Sequence, residues 1–146
     1  MKLNIFRETN VRVPRQKIIA LFETICRAES KSAAKGQVNL ILTTDSRLRS
    51  LNSQYRNINN PTDVLSFNID SPGNDDRIVG EIYIAAPTAT RQARRFGTSL
   101  SQELLRLTCH GLLHLFGHDH ETSDQRQKME SLEDSYLVVA GGKQDA

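Results

Sequence analysis

Residues 110–120 read His-Gly-Leu-Leu-His-Leu-Phe-Gly-His-Asp-His, and the spacing of their imidazoles suits a metal site. His110 and His114 stand four residues apart, about 40° around a helix, so both rings leave one face. Gly117 follows three residues after His114. It can take φ > 0 and stop the helix in a left-handed cap, after which the chain turns back. His120 then approaches the other two rings from a different direction. Three convergent neutral imidazoles with an open fourth position describe a catalytic zinc site, one zinc per chain.

Two histidines at i, i+4 are by themselves more often a solvated helix face. Here residues 104–117 are apolar nearly all round, which predicts a buried helix. A buried imidazole needs a partner for each ring nitrogen. The glycine stop and the third histidine add to that, and metal becomes the expected role. His118 is the alternative third ligand; the three-residue step from Gly117 allows a full turn and favours His120. His118, Asp119 and Glu121 are also candidates for the layer of groups behind the ligands, where a carboxylate accepts an imidazole N–H. The plainer role of the two acids is as exposed turn carboxylates.

The elements that must position this segment follow from hydrophobic periodicity. Residues 2–6 alternate and predict a short strand, broken at Val11-Arg-Val-Pro14. Pro14 can open a helix over 15–29, where Ile18, Leu21, Phe22, Ile25 and Cys26 recur at helical spacing. Residues 30–36 read as a loop. Residues 37–44 form a second strand, with Val38, Leu40 and Leu42 on one face and Ile41 asking for cover on the other. Asp45 is a suitable N-cap for a helix over 46–56, whose buried side is marked by Leu48, Leu51 and Tyr55. Residues 57–61 are rich in turn formers. Residues 63–69 are a third strand and 78–85 a fourth. The polar connector 70–76 is short enough to make them an antiparallel pair. Pro87 starts a helix carrying Arg91, Arg94 and Arg95, and Ser99 with Gln102 fits a capping box for the histidine helix. Thr122 to Asp124 can cap a last helix with Met129, Leu132, Tyr136 and Leu137 inward and Gly141-Gly142 at its end. Residues 141–146 read as a frayed tail.

The pattern β-α-β-α-β-β-α-α-α predicts one α/β domain over residues 1–146, a small four-stranded mixed sheet packed with helices around a central histidine-bearing helix. The 146 residues are 38% hydrophobic and 25% charged, ordinary for a globular chain with a real core. A formal net charge of +2 does not by itself demand a nucleic-acid partner. Cys26 and Cys109 both sit on apolar helical stretches and read as buried thiols in a reducing cytosol. The N-terminal apolar run is too short for a signal peptide, and no apolar run is long enough to span a membrane, so a cytoplasmic protein without a membrane partner is expected.

Three segments together resemble a known family. Thr62-Asp-Val-Leu-Ser-Phe67, preceded by Tyr55-Arg56, together with Gly80-Glu-Ile-Tyr-Ile84 and the segment from His110 to His120, is similar to the YbeY family. Two positions depart from the family's usual pattern: His118 stands where Tyr is usual, and Glu81 where Asp is usual. The resemblance implies a zinc-dependent, single-strand-specific endoribonuclease, a hydrolase acting in ribosomal RNA maturation and ribosome quality control. It implies RNA as substrate, the ribosome or ribosomal proteins as partners, and no DNA. It also implies that His110, His114 and His120 hold the zinc and that Arg56 is the functional arginine. From position alone Arg56 is a cation in the last turn of its helix, where it favours the macrodipole. Arg91, Arg94 and Arg95 are candidate phosphate contacts if their helix borders the cleft, or else a solvated basic face.

Two other classes compete. The chain matches H-x-x-x-H-x-x-G-x-x-H, the zinc skeleton of metzincin proteases. Those enzymes need Glu directly after the first His as general base, and here that position is Gly111. A non-catalytic assembly factor with structural zinc is the third class, and an open fourth position argues against it.

Overall fold

The computed structural model describes residues 1–29, 36–56, 62–69 and 78–139. Its elements follow the expected order: β1 (Lys2–Arg7), α1 (Arg15–Glu29), β2 (Gln37–Thr43), α2 (Asp45–Arg56), β3 (Val64–Asn68), β4 (Ile78–Ala85), α3 (Ala86–Phe96), α4 (Leu100–Leu115) and α5 (Ser123–Val139). The strands form one mixed sheet in the order β1-β2-β4-β3. β1, β2 and β4 run parallel, and β3 lies antiparallel to β4, its register pairing Ser66 with Ile82.

Period-two alternation divides the sheet residues between two faces. Leu40, Leu42, Ile82 and Ile84 pack into the main core with Ile18, Leu21 and Phe22 of α1 and with Leu104, Leu105 and Leu112 of α4. The opposite face is covered at the β3–β4 side by α2, where Leu48 and Leu51 meet Leu65 and Ala85. Ile41 is buried and pairs with Tyr83, which packs against that second cluster, so both faces are covered as its position required. α5 lies outside, packed on α4 and α1.

Local signals set the boundaries. Pro14 precedes α1, and its carbonyl accepts the Ile18 N–H at 3.0 Å. Gly97 ends α3 at φ 67°, a left-handed cap, and the reciprocal capping box of Ser99 and Gln102 opens α4. Thr122 and Gln125 exchange the same pair of bonds at the start of α5.

Two expectations are corrected. Tyr55 is not on the buried side of α2: it is 62% exposed and lies edge-on to Phe67 at 5.6 Å. Asn52, at 4%, occupies the buried stripe next to Leu48 and Leu51, so the last turn of α2 lies beyond the apolar cover. Asp45 does not cap α2 either. Thr44 does, its Oγ1 accepting the Arg47 N–H at 3.1 Å, while the Asp45 carboxylate bonds Thr88 and Arg91 across to α3. The expected loops at 30–35, 57–61 and 70–76, and the Gly141-Gly142 end with its frayed tail, lie outside the described residues.

Candidate metal centre

Helix α4 carries the site because it is held on nearly every side. Leu104, Leu105, Leu107, Thr108, Cys109, Leu112 and Leu113 are all at most 1% exposed. At about 1.5–3 kcal/mol per buried aliphatic side chain, this packing leaves the helix little freedom to slide. Burial also pushes the Cys109 thiol up to about 12 and the half-buried Cys26 thiol up to about 11, so both read as packing groups rather than nucleophiles.

Gly111 sits where α4 crosses the β3–β4 pair. A Cβ there would lie 2.7 Å from Ile82 Cγ2 and 3.0 Å from Ser66 Oγ. The Ser66 hydroxyl donates to the Gly111 carbonyl at 2.9 Å. The position that a metzincin gives to its general base therefore points into the helix–sheet contact and has room for hydrogen only. The neighbouring residues His110 and His114 leave the helix on the side that faces open space.

The end of α4 returns the chain toward those rings. Phe116 caps the helix, Gly117 takes φ 95°, and the N–H groups of Gly117 and His118 bond the carbonyls of His114 and Leu113, each at 3.0 Å. Asp119 Oδ1 accepts the His120 N–H at 2.7 Å and tightens the following turn. His120 arrives with its ring centroid 5.5 Å from that of His110 and 4.9 Å from that of His114. One ligating nitrogen from each of His110, His114 and His120 falls within 4.8 Å of the other two.

This donor set fits a zinc-like cation. Two nitrogens bound tetrahedrally at the usual zinc–nitrogen length stand roughly 3.3 Å apart. The Nε2 atoms of His110 and His114 face each other at 3.1 Å. Burial, and then the neighbouring His110 and His120 rings, hold His114 below its ordinary pKa of 6.5, which favours the neutral, ligating form. Two of the rings are half-buried and His120 is exposed, so the cluster opens to one side.

That side is a cleft of about 700 Å³. Its far wall is mostly polar, with Asn52, Thr62, Asp63, Ser66 and Asn68 beside Val64 and Leu65; the near wall is the imidazoles with Leu115 and the turn from Gly117 to Glu121.

The remaining expected residues stay outside the cluster of three. His118 Nε2 lies 2.5 Å from Glu29 Oε1, so that ring turns toward α1 and stays outside the cluster of three. Glu29 also accepts from the Tyr136 hydroxyl. Burial raises the Glu29 pKa, and the bonds from Tyr136 and His118 outweigh this and hold it below the usual carboxylate value. Arg91 pairs with Asp45 at 2.7 Å, and Arg94 and Arg95 are exposed on the last turn of α3; none of the three lines the cleft. Arg56 closes α2, and its side chain lies outside the described residues.

The imidazole partners among the described residues are two carboxylates that local spacing does not reveal, Glu133 on α5 and Glu29 on α1. Glu133 Oε1 is 2.6 Å from His110 Nδ1. Each had a faint signal, a carboxylate set in an apolar stripe. Glu133 falls four residues after Met129 and four before Leu137, and Glu29 falls four after Ile25.

Fold and site together define a small α/β domain with three imidazoles able to hold a metal ion at the mouth of a polar cleft. A model of the endoribonuclease YbeY family matches residues 4–141. The chain is 41% identical over 116 residues to endoribonuclease YbeY of Heliobacterium modesticaldum, covering 72% of this chain and 70% of that one. It is 37% identical over 135 residues to endoribonuclease YbeY of Desulforamulus reducens, covering 86% and 88%. The fold is similar to a solution structure from Thermotoga maritima, with a TM-score of 0.58, 27% identity, and 94% and 90% of the two chains covered. The chain belongs to the endoribonuclease YbeY family. No helix among the described residues is long and apolar enough to cross a membrane.

Proposed function

We propose that this endoribonuclease works as one catalytic domain, with zinc held by His110, His114 and His120, and cuts single-stranded segments of ribosomal RNA precursors in the cytoplasm. The observation that carries the reading is the convergence of three imidazoles at the mouth of a polar cleft. When bound, zinc would supply Lewis-acid polarisation of a phosphoryl oxygen and activation of a nucleophile at neutral pH.

The chain's own residues do the binding and aiming. On the cleft wall, Thr62 and Asn68 offer hydrogen-bonding groups suited to phosphate and ribose oxygens. Among the described residues no Phe or Tyr lines it, so the grip is on backbone and sugar rather than by stacking of bases. Arg56 is the arginine proposed to reach the scissile phosphate, where a guanidinium stays charged and bonds two oxygens at once. Arg91, Arg94 and Arg95 do not line the cleft, and their proposed role is limited to phosphates of RNA that runs beyond it. The ribosome or its proteins are the proposed partners that present the RNA.

Zinc-loaded protein should cleave single-stranded RNA, leave a duplex of the same sequence intact, and leave casein uncut. Casein hydrolysis without RNA cleavage would transfer the site to the protease class. Zinc binding with neither activity would favour an assembly factor.

A further inference from the structure

Glu133 is the group closest behind the cluster. Its Oε1 lies 2.6 Å from His110 Nδ1, the ring nitrogen opposite the one that faces His114. Both side chains are largely covered, 25% exposed for His110 and 13% for Glu133. Helix α5 keeps Glu133 on its packed face, because Met129, Tyr136 and Leu137 on the same stripe are buried at 2%, 8% and 6%. A carboxylate so placed is unfavourable unless it accepts hydrogen bonds. The nearby cation Arg106 is already engaged by Glu103 through bonds of 2.6 and 3.0 Å. His110 Nδ1–H is thus a donor in reach of Glu133, and a neutral ring that donates from Nδ1 carries its lone pair on Nε2.

We propose that Glu133 is a positioning residue for the metal centre, fixing His110 as the Nδ1–H tautomer with its Nε2 lone pair aimed at His114 and His120. The site is then assembled from two consecutive helices: α4 supplies the ligand and α5 sets its tautomer and ring angle. Carboxylates in this relation to a ligating imidazole fix its tautomer and hold its orientation. A mere tie between helices has no reason to select the ring nitrogen opposite the cluster. This inference rests on the zinc reading of the three imidazoles.

The test uses metal-free and zinc-titrated protein, wild type against Glu133→Met and Glu133→Gln. Methionine keeps the length, forms helix well and suits the apolar stripe, but accepts no hydrogen bond of comparable strength. Zinc affinity is read by competition with a chromophoric chelator, and the His110 tautomer by ring ¹⁵N shifts of the metal-free protein. Glu133→Met should weaken zinc by roughly 10–100-fold and release His110 from the single Nδ1–H tautomer. Glu133→Gln keeps an acceptor oxygen and should recover the tautomer and most of the affinity, leaving a loss of several-fold because a neutral acceptor is about half as strong. A Glu133→Met protein that binds zinc as wild type does, or that loses only metal-free melting temperature, would make Glu133 a packing residue and overturn the proposal. Should Glu133→Met fail to fold, Glu133→Gln decides, and zinc affinity identical to wild type overturns it. A wild type that binds no zinc fails differently: it sinks the metal reading itself.

Discussion

Gly111→Ala is the sharpest perturbation that the packing allows. The added Cβ would lie 2.7 Å from Ile82 Cγ2, 3.3 Å from Ile82 Cδ1 and 3.0 Å from Ser66 Oγ. Carbon atoms attract best at about 3.5–4.0 Å, so the Ile82 contact is short by roughly 1 Å. Ile82 cannot swing away cheaply: it is fully buried, and its β-branched side chain has a stiff χ1. Overpacking of this kind costs about 1–3 kcal/mol. Removing a glycine from a helix interior returns about 0.5–1 kcal/mol. Mid-range values leave a net loss of roughly 1 kcal/mol, or about 2–4 °C of melting temperature for a chain this long. To relieve the contact α4 must lift from the sheet, stretching the Ser66 bond to the Gly111 carbonyl and carrying His110 and His114 with it. Thermal unfolding of metal-free protein at pH 7, followed by zinc titration of the folded variant, should show both losses. A melting temperature equal to or above wild type would refute the reasoning, since it would mean that the helix–sheet contact yields freely.

Other outcomes follow from the same geometry. Glu29 has a folded pKa below its ordinary 4.5, so it contributes stability that is present above that value and lost as pH falls through the folded one. Melting temperature should therefore fall on acidification below about pH 4.5, and Glu29→Gln should flatten that limb of the profile; an equally steep limb removes Glu29 from the account. Neutralising Arg91, Arg94 and Arg95 together should leave the fold intact, because the exposed Arg91–Asp45 pair is worth about 0–1 kcal/mol. RNA affinity in that variant should drop, with the salt slope shallower by up to about 0.7 per lost phosphate contact, and an unchanged slope would return the three arginines to a solvated face. Arg56→Ala should keep zinc and fold while cleavage falls by more than about tenfold, in line with roughly 2–4 kcal/mol for a removed oxyanion donor. Arg56→Lys should rescue only part, since lysine lacks the planar fork; wild-type cleavage by Arg56→Ala would mean the active site has to be redrawn.

The order of the elements and the imidazole cluster were legible in the sequence because both rest on short-range rules. An i, i+4 pair on an apolar helix, a glycine stop and a third histidine define a convergence within eleven residues, and the chain realises it locally through the Gly117 turn. The partners of those histidines were not legible. Glu133 and Glu29 reach His110 and His118 only after α5 and α1 have docked on α4, and docking is set by tertiary packing that spacing along one helix does not encode. The same limit explains Tyr55. Helical periodicity puts it in line with Leu48 and Leu51, yet the cover on that face stops short of the last turn of α2 and Asn52 takes the buried place. Thr44 displaced Asp45 as the cap because a carboxylate one residue further on finds Thr88 and Arg91 on α3. Gly111 was read for the side chain it lacks, and its reason, the closeness of Ile82 and Ser66, emerges only when helix and sheet are assembled.

The central claim is that three imidazoles hold a zinc on which RNA cleavage depends, and a matched comparison of wild type and His114→Ala tests it most directly. Both proteins would be assayed on a ribosomal RNA precursor with zinc content and melting temperature measured on the same samples. Wild type should carry one zinc per chain and cleave. His114→Ala should lose the metal, the cleavage, and the part of the melting temperature that comes from metal binding only the folded state. A folded His114→Ala protein that keeps full zinc, or that cleaves the RNA as wild type does without it, would contradict the account.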